Sequence, residues 1–187
     1  MLKSRLVLLI PFSFFLGIVA FSYMSAVSKR FNKQYFSGEA TPSVIKDAKT
    51  LMFFYSVLLF AYPKYRRQVV QNWHEIIAIT AFAMGDYPCF LKYIRKGKTE
   101  TPFQSAWLAL YHLTVSHDIE LPEPYLQKLD PIFPAESLAK GVYFFEKGER
   151  EQGYLLIKKA IPKLQSAASK KLAKEYLQKY APQEEQA

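Results

Sequence analysis

At 187 residues the chain has room for one compact domain and an anchor, not for a second independent core, because domains commonly need about 100 to 200 residues. Half the residues are hydrophobic and 16% are aromatic, which excludes a disordered chain, and the formal net charge of +9 favours anionic surfaces or partners. Only seven glycines interrupt it, Leu, Ala, Lys, Glu and Gln dominate the second half, and alternating β-branched runs are scarce, so an all-α fold is expected. The single cysteine, Cys89, excludes an intramolecular disulfide framework and a cysteine-based zinc site. Set between Pro88 and Phe90, it reads as a small buried hydrophobe rather than a reactive thiol.

The first segment, Leu6 to Met24 (LVLLIPFSFFLGIVAFSYM), holds nineteen residues without a charge, close to the ~20 a helix needs to cross hydrocarbon. It predicts an uncleaved anchor over residues 1–27, bent near Pro11, in preference to a secretory signal. Lys3 and Arg5 before the run, against Lys29, Arg30 and Lys33 after it, nearly balance the positive-inside comparison. The expected location is a bacterial inner membrane, spanned once by residues 6–24, with the helical domain outside the cytoplasm. Residues 28–42, polar and basic with Gly38 and Pro42, read as a linker. The next apolar run, Leu51 to Tyr62, has only twelve residues, a length that suits a buried bundle helix better than a span.

Helical periodicity fills residues 43–181. Three turns, Gly85-Asp86, His117-Asp118 and Gly148-Glu149, recur every 30 to 33 residues, a period that suggests stacked helical hairpins. Val69, Trp73, Ile76 and Thr80 precede the first turn; Phe103, Trp107, Leu110 and Thr114 the second; Leu138, Gly141, Val142 and Phe145 the third. Pro102, Pro134 and Pro162 fall near unit ends, where a helix is expected to stop. Residues 166–180 present Leu172, Tyr176, Leu177 and Tyr180 on one side and lysines on the other, as a capping helix should. The tail 182–187 is expected to be disordered.

Within KGVYFFEKGEREQGYLLIKKAI, the residues Gly141, Phe144, Gly148, Gly153, Ile157 and Ala160 resemble the tetratricopeptide repeat family. Gly85-Asp86-Tyr87 with Pro102 resembles a second copy, and Trp107, Asp118 and Pro134 a third, so the resemblance covers roughly Gln71 to Leu164. Gly153 stands where the family usually has alanine, and Ser137 where an aromatic is common. The resemblance implies a right-handed stack of helical hairpins in which small residues let paired helices approach closely. It also implies a partner-binding inner face, for which Trp107, Tyr111, Tyr143 and Arg150 are the candidates. The plainer alternative is an irregular helical bundle.

Signals for chemistry are few. His74-Glu75 begins like HExxH, but Ala78 occupies the second histidine position, and His112 and His117 lie about 140° apart on an α-helix. No phosphate-binding glycine loop and no GxSxG elbow occurs. No cofactor or metal is expected, and the short basic patch Arg95, Lys96 and Lys98 reads as a solvated helix end. The lysines of the last helix lack an aromatic platform, which makes nucleic acid a poor candidate partner. The expected function is a membrane-anchored interaction or assembly scaffold. The competing readings are an enzyme or accessory subunit acting near the bilayer on anionic lipid or envelope precursors, with His74, Glu75 and His112 as its residues, and a small multi-span membrane component.

Overall fold

A computed structural model describes residues 2–37, 40–96, 101–164 and 166–179, with residues 2–16, 167 and 168 described by their backbone alone. The fold is all-helical, with no strand among the described residues. In chain order come α1 (Leu2–Ser37), α2 (Pro42–Leu58), α3 (Pro63–Ala83), α4 (Tyr87–Ile94) and α5 (Pro102–Tyr111). A π-helical turn (His112–Ser116) prolongs α5, and α6 (Glu123–Leu126), α7 (Pro134–Glu146), α8 (Arg150–Ala160), a 3₁₀ turn (Ile161–Lys163) and α9 (Ala167–Lys179) follow. The expected tail, Gly38, Gly97, Lys98 and Tyr180 lie outside the described residues.

The prolines expected to stop helices mostly start them. Pro102 and Pro134 are the first residues of α5 and α7, as Pro42 and Pro63 are of α2 and α3. At that position the missing N–H would have had no intrahelical partner anyway, and the fixed φ is already helical. Thr101 adds a capping box to α5, accepting from the Gln104 amide while the Gln104 side chain accepts from Thr101 N–H. Gly85 and Gly148 end α3 and α7 at φ 74° and 88°, which a β-carbon would strain. Asp118 builds the middle turn differently, its Oδ1 accepting from the amides of Glu120 and Leu121 at 3.0 Å each.

The membrane expectation is corrected. Among the described residues no helix is long and apolar enough to cross a membrane, which overturns the single-pass anchor and its inner-membrane location. Residues 6–16 of the anticipated span lie outside those whose side chains are described. From Met24 onward α1 belongs to the domain core: Met24, Val27 and Phe31 are buried, and Arg30 grips Asp47 of α2 with two hydrogen bonds of 2.5 and 2.6 Å. Residues 28–37, anticipated as linker, are therefore helical, since Phe31 has a core to enter and stacks edge-on against Trp73 at 5.2 Å. The run at Leu51 to Tyr62 ends helix α2 at Leu58, with Leu51 buried and Phe53 and Phe60 exposed.

Successive helices pack as hairpins, with α2 against α3, α3 against α4 and α7 against α8, while α5 lies against α7. Burial runs right around α5 from Gln104 to Leu110, so this helix is the centre of the domain. The predicted faces Leu138, Gly141, Val142 and Phe145 on α7, and Ile157 and Ala160 on α8, are buried. Ser137, standing in place of an aromatic, donates its hydroxyl to the Leu156 carbonyl across the pair at 3.1 Å. Helix α9 then turns back, contacting α1, α3, α7 and α8, with Ala173 fully buried.

The α7–α8 contact depends on glycine at two facing positions. A Cβ at Gly153 would stand 2.7 Å from the Gly141 carbonyl oxygen, and one at Gly141 would stand 2.5 Å from Ile157 Cγ1. Gly153→Ala should therefore destabilise the fold by about 1–3 kcal/mol through forced separation of the helices, despite the higher helix propensity of alanine. Thermal unfolding checks this, and a variant melting at or above the parent would show that the two helices part without cost.

Candidate functional site

The four residues anticipated on a partner-binding face differ widely in burial. Trp107 is only 2% exposed, with its ring edge-on to Phe82 at 5.4 Å. Tyr111 stacks on Phe90 at 5.6 Å, flanking the core. Tyr143 is also buried, with Lys147 Nζ 4.5 Å from its ring centroid, and Arg150 is exposed at the start of α8. Trp107 lines two cavities beside α9.

The first cavity, about 370 Å³, lies between Ile79 and Phe82 of α3, Trp107, and Leu172 and Glu175 of α9. The second, about 360 Å³, is where α1, α3, α5, the start of α7 and the segment leading into α9 converge. Its rings come from Tyr35, Phe103, Trp107 and Phe133, and its ionisable groups from Glu75, Glu136 and Lys163. Glu75 also borders a larger open groove of about 930 Å³, together with His74 and the cations Lys64, Arg66, Arg67 and Lys96.

The polar groups around the second cavity are unevenly satisfied. Glu136 is 5% exposed, and its Oε2 accepts the Asp130 amide at 2.6 Å. Ser166 and Ser169 are buried and share a hydrogen bond of 2.6 Å between their hydroxyls. Trp107, which lines this cavity, has its buried Nε1 donor without an acceptor among the described residues, and Gln104 Nε2 on the same helix is likewise unpartnered there. Such orphans are uncommon in folded proteins, and each costs about 1–3 kcal/mol when left unmade.

Burial also moves the titrations. It pushes the Glu75 carboxyl above the usual range, only partly offset by the hydrogen bond from Gln71. Burial raises the Tyr35 hydroxyl, against the hydrogen bond with Ser166. Burial lowers His74, with the Lys96 charge adding to it, and lowers His112, with Asp118 opposing and Arg95 adding. His74 and Glu75 adjoin one groove, whereas His112 stacks on Tyr125 at 6.1 Å, so the three anticipated enzyme residues are not brought into one constellation.

The His112–Ser116 segment is π-helical, so α-helical spacing does not apply to His112 and His117. Thr114 marks the change of winding, donating its hydroxyl to the Leu110 carbonyl at 2.7 Å. Among the described residues no three His, Cys, Asp or Glu side chains gather as metal ligands. Cys89, anticipated as buried, is half-buried, and burial together with the Asp86 carboxylate raises its thiol against the opposing charges of Lys49 and Lys92, which disfavours the thiolate.

The residues missed in the sequence are Tyr35, Gln104, Phe133 and Glu136. Glu136 looks like an ordinary first-turn acid, and Gln104 like a surface glutamine in a capping box; only the tertiary arrangement buries them. Because Glu75 has a raised pKa in the fold, the native state holds its proton more tightly than the unfolded chain. Glu75 therefore lowers stability as pH rises through the interval above the ordinary glutamate value. Glu75→Gln should accordingly stabilise the protein at pH 7 relative to the parent and show no advantage below pH 4, checked by denaturant unfolding at both pH values; an equal effect at both would exclude a buried, charge-averse site. No known protein family matches the chain, and no curated protein or solved structure matches it significantly.

Proposed function

We propose that the protein is a protein–protein interaction module, an assembly scaffold whose helical-hairpin stack binds a peptide segment of its partner beside α9. The observation that carries this reading is the buried indole of Trp107, whose Nε1 has no acceptor among the described residues, on a residue that lines a cavity walled by aromatic rings. Peptide backbone supplies carbonyl acceptors, and apolar pockets with a few fixed polar groups are the usual form of a recognition site. The hairpin order, the glycine-mediated approach of α7 to α8 and the turn period support placing the stack with helical-repeat scaffolds of the tetratricopeptide type.

Phe133 stands at the edge of the second cavity with 58% of its surface exposed, as a first contact for a partner would. A photoreactive amino acid at Phe133 should yield a discrete crosslinked adduct in cells, while the same group at exposed Lys158 of α8 should not. Identical adducts from both positions, or none from Phe133, would contradict the reading.

A further inference from the structure

We propose that the cavity between α1, α3, α5, α7 and α9 binds a positively charged side chain, arginine or lysine, of a partner peptide, with Glu75 and Glu136 as its counter-charges and Trp107 Nε1 as donor to the adjoining peptide carbonyl. The inference rests on the interaction reading above and gives that partner a chemistry.

Charge is the first argument. The chain carries a net +9, and Lys64, Arg66, Arg67 and Lys96 crowd the open groove on one side of Glu75. Within the second cavity the balance reverses: two carboxylates line it, against the exposed Lys163. Glu75 has the neutral Gln71 amide as its hydrogen-bond partner, at 3.2 Å, and Glu136 has the Asp130 amide, so among the described residues neither acid is paired with a basic side chain. A half-buried carboxylate is poorly solvated, and a cation brought to it recovers Coulombic energy that exposed carboxylates gain little of.

Shape and ring chemistry make the same choice. At about 360 Å³ the cavity is near the lower limit for ligand pockets, which suits one side chain and its backbone rather than a folded element. Phe103, Trp107 and Phe133 offer ring faces on which a guanidinium can stack while its N–H groups reach a carboxylate. A cation alone leaves the buried indole donor of the cavity-lining Trp107 unanswered. Trp107 Nε1 donates and cannot accept from an ammonium or guanidinium, so a ligand that satisfies it brings an acceptor as well. A peptide residue supplies both, a cationic head and a carbonyl on the same short segment.

Trp107 itself reports the outcome, because Trp73→Phe leaves it as the sole tryptophan of the chain. The full-length protein with this substitution is titrated at millimolar concentrations with acetylated, amidated tripeptides Ala-Arg-Ala, Ala-Lys-Ala and Ala-norleucine-Ala. The expected result is a saturable change in Trp107 emission with the arginine peptide, a weaker one with lysine and none with norleucine. Glu75→Gln and Glu136→Gln should each weaken arginine binding by at least about tenfold. Glu75→Gln removes a half-buried acid whose charged form burial disfavours, and its thermal unfolding separates lost binding from lost fold. Equal binding of the norleucine peptide, no saturation with arginine, or unchanged affinity in both variants would overturn the proposal. Crosslinking at Phe133 without arginine-peptide binding would sink the cation assignment alone; failure of both would sink the interaction reading with it.

Discussion

A helix hairpin in water covers one flank of each helix and leaves the other greasy, so the fold depends on every hairpin finding a neighbour. Helix α5 is where that requirement is met most fully. Its residues Gln104 to Leu110 are buried on every side, and Trp107 meets Phe82 of α3 and Phe103 of its own helix. The two ends of the stack need covers of their own. At one end the second half of α1 lays Val27 and Phe31 on α2 and α3, tied down by Arg30 and Asp47. At the other, α9 sets Ala173 into the core and stacks Tyr176 on Phe145 of α7 at 6.4 Å.

The two covers meet. Tyr35 of α1 and Ser166 at the entry to α9 line the same cavity, and α9 also reaches α3. Helix α9 is short and lysine-rich, and among its described side chains Ser169, Leu172, Ala173, Tyr176 and Leu177 pack into the domain. It cannot fill the whole space between α3, α5 and α7, and the cavities on either side of it are the consequence. A gap lined by rings and two carboxylates is thus a product of how the stack is closed, and the unpartnered indole of Trp107 belongs to its lining.

Features that depend on near neighbours in the chain were legible in the sequence. The all-helical class, the buried faces of α7 and α8, and the turns at Gly85 and Gly148 follow from periodicity and from glycine tolerating positive φ. Apolar composition alone was not enough for α1, because Met24, Val27 and Phe31 have the same hydropathy whether a core or a bilayer receives them. Proline was read as a terminator when its missing N–H equally suits a first turn. The site was the least legible part. Tyr35, Glu75, Trp107 and Glu136 are brought together from four helices, and nothing local marks a glutamate that tertiary packing buries.

The most direct test of the account is whether α9 lies across α3 in solution. With Cys89 replaced by serine, spin labels at exposed Gln68 of α3 and Lys174 of α9 give an interhelical distance distribution by pulsed electron paramagnetic resonance. The closed stack predicts a single narrow population. A broad distribution reaching long separations would mean that α9 hangs free, that the cavities beside it do not exist as such, and that the binding site built on them is wrong.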